Sequence, residues 1–172
     1  MTTAARNPSQ GPVVFAYDGS ALARLAVDEA GQQLTAEREA VVLTVWHPFD
    51  VGFLPSGGVR FDAAQTSDVR EAAERTAAEG ASLARAAGFN AGSIVTEAAP
   101  TWKGIVEVAD EHNASLIVLG SHGRTGLGGV LIGSVAEAVT AHSRRSVLIV
   151  HRRNEPGQTA ADGTSETQKD TA

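Results

Sequence analysis

Several features that define protein classes are missing from this sequence. It has no cysteine among 172 residues, which excludes thiolate metal sites, disulfide scaffolds and a thiol nucleophile. It also lacks an apolar leader segment and any run approaching the roughly 18 apolar residues of a membrane-spanning helix. Its 14 basic residues are outnumbered by 20 acidic ones, whereas nucleic acids and anionic membranes need a basic surface. These absences predict a cytoplasmic protein with neither a membrane nor a nucleic-acid partner.

What remains is enough sequence for one ordinary domain. Residues 1–11 are small and polar, and residues 154–172 contain no large apolar side chain. Such segments bury too little apolar surface to offset the entropy of ordering them. We therefore expect a disordered N-terminal tail, one domain over residues 12–153, and a disordered acidic C-terminal tail.

Within residues 12–153, short apolar runs alternate with stretches of helical spacing. Most of the runs are too continuously apolar for a sheet with one solvated face, which indicates parallel strands covered on both sides. The predicted strands are 13–17, 41–46, 93–98, 115–119 and 146–151. Four helices are expected between them: one after Ser20, a second over about 65–88, a third with Thr101 as N-cap, and a fourth with a Ser134–Glu137 capping box.

This alternation predicts an α/β fold, an open parallel sheet of five strands with helices on both faces, because right-handed crossovers return the chain to one sheet. Ligands of such sheets bind beyond the carboxyl ends of the strands, where the strand order reverses. The segments that follow the first, second and fourth strands are therefore the candidate site.

The strongest chemical signal is the loop after the fourth strand, GSHGRTGLGGVLIGS at residues 120–134, which contains six glycines, one arginine and no acidic residue. Glycines let several backbone amides converge on an anion, and the start of the following helix adds free amides and the positive end of its dipole. This arrangement suits a phosphate ester. The alternative is that the glycines only make the loop flexible.

Two common phosphate motifs are absent from this loop. A P-loop requires a lysine, which the loop does not contain, and the dinucleotide pattern GxGxxG reads Leu131 at its third glycine. The loop does contain the pattern G-x2-G-x9-G-[ST], formed by Gly120, Gly123 and Gly133–Ser134. In this pattern, in Asp18–Gly19–Ser20 and in the closing strand, residues 12–153 resemble ATP-binding members of the universal stress protein family.

The resemblance implies the adenine nucleotide alpha hydrolase-like fold with strand order 3-2-1-4-5, and ATP, alone or with Mg²⁺, as ligand. Asp18 and the backbone around Ala16 would hold the adenine or ribose, and Val45 would meet the adenine ring. Residues 120–123 would line the ribose and α-phosphate. Arg124, Gly133, Ser134 and Val135 would reach the outer phosphates. The twelve implied site residues are Ala16, Asp18, Val45, Gly120, Ser121, His122, Gly123, Arg124, Thr125, Gly133, Ser134 and Val135.

Each implied role has a plainer alternative. Asp18 or Ser20 could simply cap the first helix. Ser121 beside His122 suggests a hydrolase, but no G-x-S-x-G elbow is present and no third residue is evidently placed to orient the imidazole. Tyr17 is bulky, and the alternation of strand side chains would turn it away from the pocket.

The last strand, Val147–Val150, would form an exposed apolar edge of the sheet. The resemblance implies a homodimer through this strand, and the alternative is that the tail covers it. The function implied is that of a regulatory ATP-binding module in a stress response. Two alternatives are a slow ATPase or nucleotidyl-transfer enzyme using the same pocket, and a scaffold that has lost nucleotide binding.

Overall fold

The computed structural model describes residues 11–48, 63–124 and 132–152. The expected tails, apart from Gly11, and the predicted site residue Thr125 lie outside these ranges. The elements, in chain order, are β1 (Val13–Ala16), α1 (Ala21–Gln33), β2 (Glu39–Trp46), α2 (Ala63–Ala86), β3 (Asn90–Glu97), α3 (Thr101–Glu111), β4 (Leu116–Gly120), α4 (Ser134–His142) and β5 (Ser146–Val150).

The strands form one parallel sheet in the order β3-β2-β1-β4-β5. Both the α/β class and the strand order expected from the sequence are thereby confirmed. In the register of the central strands, Ala16 at the end of β1 lies beside Leu43 of β2 and Leu119 of β4. The chain leaves β1 towards β2 on one side and returns through β4 on the other, so the switch point lies between β1 and β4.

Successive residues of the strands feed two separate cores because strand side chains alternate between the faces of a sheet. Val13 and Phe15 of β1 pack with α1 and α2, whereas Val14 packs with α3 and α4. All three side chains are almost completely buried, which accounts for the continuous apolar runs in the sequence. Within the part of the chain described here, no helix is both long and apolar enough to cross a membrane.

The starts of the helices differ in detail from the sequence-based expectation. Ser20 is the N-cap of α1, and its hydroxyl accepts a hydrogen bond from the Ala23 amide at 3.1 Å. Thr101 is not a cap, because the extended residue before α3 is Pro100. The expected Ser134–Glu137 capping box is also wrong: Gly133 is the N-cap of α4, Ser134 is already helical, and no side chain caps the end.

A close approach between α2 and the sheet explains Gly80. A β-carbon at this position would lie 2.6 Å from Tyr17 Cδ1 and 2.8 Å from Val42 Cγ1. We expect Gly80→Ala to lower the free energy of unfolding by about 1–3 kcal/mol, the usual effect of overpacking, as measured by urea denaturation. Gly92→Ala is the control, since no atom lies within 4 Å of its added β-carbon. Equal stability of the two variants would contradict the packing described.

Candidate functional site at the carboxyl ends of β1 and β4

The loops after β1 and β4 are joined by the carboxylate of Asp18. Its Oδ1 accepts a hydrogen bond from the Ser20 amide, and its Oδ2 accepts one from the Arg124 amide, both at 3.0 Å. Ser20, not Asp18, supplies the side-chain cap of α1. Asp18 therefore does more than the capping alternative required, since it holds together two loops that are 106 residues apart in the chain.

Gly123 makes this link possible because it leaves room for the carboxylate. A β-carbon on Gly123 would lie 2.6 Å from Asp18 Oδ2, closer than real β-carbon contacts. Any other residue would displace the carboxylate from the Arg124 amide, or the loop from Asp18. The second glycine of the motif thus has a specific steric reason, which the alternative of a merely flexible loop does not supply.

A second link joins the start of the loop to the start of α4. Ser121 is only 3% exposed; its amide donates to Val150 O and its carbonyl accepts from the Gly133 amide, both at 2.8 Å. A β-carbon on Gly133 would lie 3.1 Å from that carbonyl and 3.4 Å from His122 Cδ2. The third glycine of the motif therefore lets α4 begin directly against the loop.

The start of α4 has the features of an anion site. The first amides of a helix have no acceptor within the helix, and the dipole places partial positive charge there. Among the described residues no side-chain cap is found at this end, and Ser134 and Val135 are exposed, Val135 by 36%. Glu137 lies in the first turn and opposes an anion, whereas the exposed Arg124 adds positive charge at the β4 loop.

His122 lies between these two links. Its Nδ1 is 3.2 Å from Ser121 Oγ. Its Nε2 is buried, and no group of the described residues forms a hydrogen bond with it. A buried polar atom without a partner is costly, so Nε2 is a hydrogen-bonding group that the described residues leave unsatisfied.

Three of the predicted residues are explained first by packing. A β-carbon on Gly120 would lie 2.8 Å from Leu22 Cβ and 2.9 Å from its carbonyl carbon, so the first glycine of the motif lets α1 cross closely above β4. Val45 is half-buried on the α3 side of the sheet, and its Cγ1 would be 3.3 Å from a β-carbon on Gly104. Ala16 contributes to the same core.

A groove enclosing about 470 Å³ lies between the N-terminal ends of α3 and α4. Its lining residues are His47, Ala99, Pro100, Thr101, Trp102, Ser134, Val135 and Ala138. Only Ser134 and Val135 were predicted as site residues. His47 and the segment 99–102 could have been found by the same rule, because they follow the carboxyl ends of β2 and β3.

Behind Asp18, a polar cluster joins α1, α2 and the end of β1. Tyr17 is 2% exposed and lies in the α1–α2 core, so it faces away from the α3–α4 side as expected. Its hydroxyl donates to Glu79 Oε1 at 2.8 Å, and the same oxygen accepts from Arg24 Nε at 3.0 Å and Nη2 at 2.8 Å. These two donors lower the pKa of Glu79, with the Arg24 bond the larger cause.

Burial, followed by the bond to Glu79 and its charge, raises the pKa of Tyr17 to about 12. Because Tyr17 is the single tyrosine of the sequence, we expect its phenolate absorbance to titrate near that value instead of the ordinary value of about 10. Folding favours the protonated phenol, so its stabilising contribution is complete below about pH 10 and is lost as the pH rises towards about 12. A midpoint at the ordinary value would contradict the buried position of the hydroxyl.

The described residues contain no group of three or more histidine and acidic side chains arranged to hold a metal ion. The residues brought together are instead two backbone-anchored loops and a helix N-terminus. Of these groups, the first amides of α4 are the backbone donors without an acceptor inside the helix.

Comparison with protein families and curated proteins gives a consistent result. The model of the Universal stress protein family matches residues 11–151. Universal stress protein Rv2005c of Mycobacterium tuberculosis is 34% identical over 152 residues, which cover 86% of this chain and 48% of that protein. The chain therefore spans about half the length of the first curated relatives it matches.

Solved structures agree with this assignment. MJ0577 of Methanocaldococcus jannaschii superposes with a TM-score of 0.71 at 25% identity, covering 86% of this chain and 99% of that one. A universal stress protein in complex with cAMP has a TM-score of 0.58 at 31% identity, covering 82% of this chain and 97% of that one. The family match, the sheet order and the spacing of Gly120, Gly123 and Gly133 lead to one conclusion: the chain belongs to the universal stress protein family.

Proposed function

We propose that this chain binds ATP between the β4 loop and the start of α4 and serves as a regulatory module in a stress response. The observation that carries the proposal is the pair of links, Asp18 to Arg124 and Ser121 to Gly133. They bring the separated parts of the glycine pattern to one helix N-terminus at the switch point of the sheet. A nucleotide offers the phosphates that this end would bind and the base and ribose that the loops would enclose.

Two further observations support a nucleotide. Gly123 and Gly133 both keep the loop free of β-carbons that would meet Asp18 or Ser121, and His122 Nε2 has no partner among the described residues. The relative solved with cAMP is 31% identical and covers most of the chain. Its ligand is an adenine nucleotide, the chemical class that we propose here.

Mg²⁺ would accompany the phosphates and would not occupy a site built by the protein. It prefers oxygen ligands and commonly keeps several waters while bridging phosphate oxygens. The carboxylate of Asp18 is bonded to two backbone amides, so it is not arranged primarily as a metal ligand.

We also propose that the chain forms a homodimer in the cytoplasm through β5. This strand ends the sheet order, so its outer edge has no neighbouring strand within the described residues. Its apolar middle residues are only half-buried, and exposed apolar edges favour pairing with another chain. Sedimentation equilibrium should give twice the chain mass of 17.7 kDa; a monomer at all concentrations would contradict the proposal.

Calorimetric titration with ATP tests the central proposal. We expect saturable binding with one site per chain, and no binding at millimolar nucleotide would overturn it. A steady-state phosphate-release assay on the same sample distinguishes the enzyme alternative. The described part of the site shows no residue arranged as a general base, so we expect release far below one equivalent per minute. Faster turnover that disappears with Gly123→Val would establish an enzyme.

A further inference from the structure

One turn of α2 supports the segment that carries Asp18. Glu79 accepts the hydrogen bond from the Tyr17 hydroxyl, and Gly80 allows the Tyr17 ring to lie directly against the helix. Thr76 Cγ2 would be 3.4 Å from a β-carbon on Gly19. Tyr17 therefore contacts α2 directly, and Gly19 passes close enough to α2 that an added β-carbon would touch it.

The backbone of Tyr17 is fixed as well. Its amide donates to Leu43 O at 2.9 Å, and its carbonyl accepts from the buried Thr44 Oγ1 at 2.8 Å. Immediately afterwards Gly19 adopts a φ of +80°, which turns the chain towards α1. Asp18 therefore follows a residue, Tyr17, that is held at both its backbone and its side chain, and it precedes the sharp turn at Gly19. The direction of the Asp18 side chain depends on both neighbours.

We propose that Glu79, held by Arg24 and bonded to Tyr17, is a positioning residue that keeps the Asp18 carboxylate aimed at the Arg124 amide and thereby maintains nucleotide affinity. The part of this inference that concerns affinity rests on the proposed function. Glu79 would not touch the nucleotide, because it contacts the side of Tyr17 that faces away from the α3–α4 groove.

The physical basis is the loss of the hydrogen bond that ties the Tyr17 ring to α2. Without Glu79, the Tyr17 hydroxyl must find another partner or move towards water. Either movement shifts the ring against Gly80 and α2, and Asp18 follows in the chain. Binding sites lose affinity when their supporting residues allow displacements of about half an ångström.

The test compares Glu79→Ala and Tyr17→Phe with Glu74→Ala. Glu74 is the matched control, because it lies on the same helix and forms an exposed pair with Arg70 at 3.0 Å. We expect the first two variants to weaken ATP binding by about threefold to tenfold, the range for loss of one hydrogen bond, and the control to bind as the wild type does. Glu79→Gln, which retains an acceptor oxygen, should recover part of the loss.

A local measurement separates positioning from general destabilisation and needs no nucleotide. Hydrogen exchange of the Arg124 amide should become faster in Glu79→Ala, while that of a core amide such as Val118 should keep its wild-type rate. Wild-type exchange at Arg124, or an equal change in Glu74→Ala, would overturn the inference. If the wild type binds no ATP, the proposed function fails, but the Arg124 exchange still decides the role of Glu79.

Discussion

Gly133→Val should reduce ATP affinity about 10- to 100-fold, which corresponds to about 1–3 kcal/mol of overpacking. The β-carbon alone would lie 3.1 Å from Ser121 O, and the branched side chain of valine adds two methyl groups to this contact. The bond from the Gly133 amide to the same carbonyl, at 2.8 Å, would have to lengthen. The start of α4 would then move away from the loop, and calorimetric titration would record the loss.

The direction of the added β-carbon decides how Gly133→Val acts. The β-carbon would point at Ser121 and His122, so the substitution acts by displacing the loop and not simply by filling the place of a phosphate. Gly133→Ala should accordingly give an intermediate affinity. Gly92→Val controls for the change of residue type, because it introduces valine where no atom lies within 4 Å. If folded Gly133→Val protein bound ATP with wild-type affinity, this loop geometry would not be needed for ATP binding.

Asp18→Ala should weaken ATP binding about tenfold or more. Both carboxylate oxygens accept backbone hydrogen bonds, and charge-assisted bonds of this kind are roughly twice as strong as neutral ones. Without these bonds the β4 loop loses its connection to the end of β1. ATP would then have to order the loop as it binds, and that cost reduces the affinity. Calorimetric titration measures the affinity, and thermal unfolding should show a much smaller effect because Arg124 is exposed.

The direction of this effect distinguishes two roles of the charge. If Asp18 acted only through repulsion of the phosphates, its removal would strengthen ATP binding, and that result would contradict the linking role. Asp18→Asn should behave more like alanine than like wild type, because an amide presents an N–H to one of the two backbone donors. Asp28→Ala, at an exposed position of α1, removes the same charge without touching either loop.

The fold was predictable where the pattern was local. Val13, Val14 and Phe15 are consecutive and all buried, and only a strand covered on both faces explains such a run. The strand order came from the family resemblance, which depended on the spacing of three glycines. Helix ends were harder to predict: Thr101 is a good capping residue, but Pro100 already has the extended backbone of a cap.

The contacts that assemble the site were not predictable in the same way. Tyr17 and Glu79 are 62 residues apart, and Asp18 and Arg124 are 106 residues apart. Periodicity reports which face a residue occupies and gives no information on its partner in another element. His47 and Trp102 lie after the carboxyl ends of β2 and β3, so the strand-end rule could have named them, but not their meeting with the start of α4 in one groove.

The separation of Asp18 from Arg124 also has a consequence for folding. A link between residues 106 apart forms more easily once β1 and β4 have paired, because strand pairing has then already closed the long loop between them. A fragment that ends before β4 lacks the Arg124 amide, so its Asp18 cannot form this link. A ligand that binds only the completed site stabilises the native chain by mass action. If the chain binds ATP as proposed, the nucleotide would also protect the whole folded chain against proteolysis.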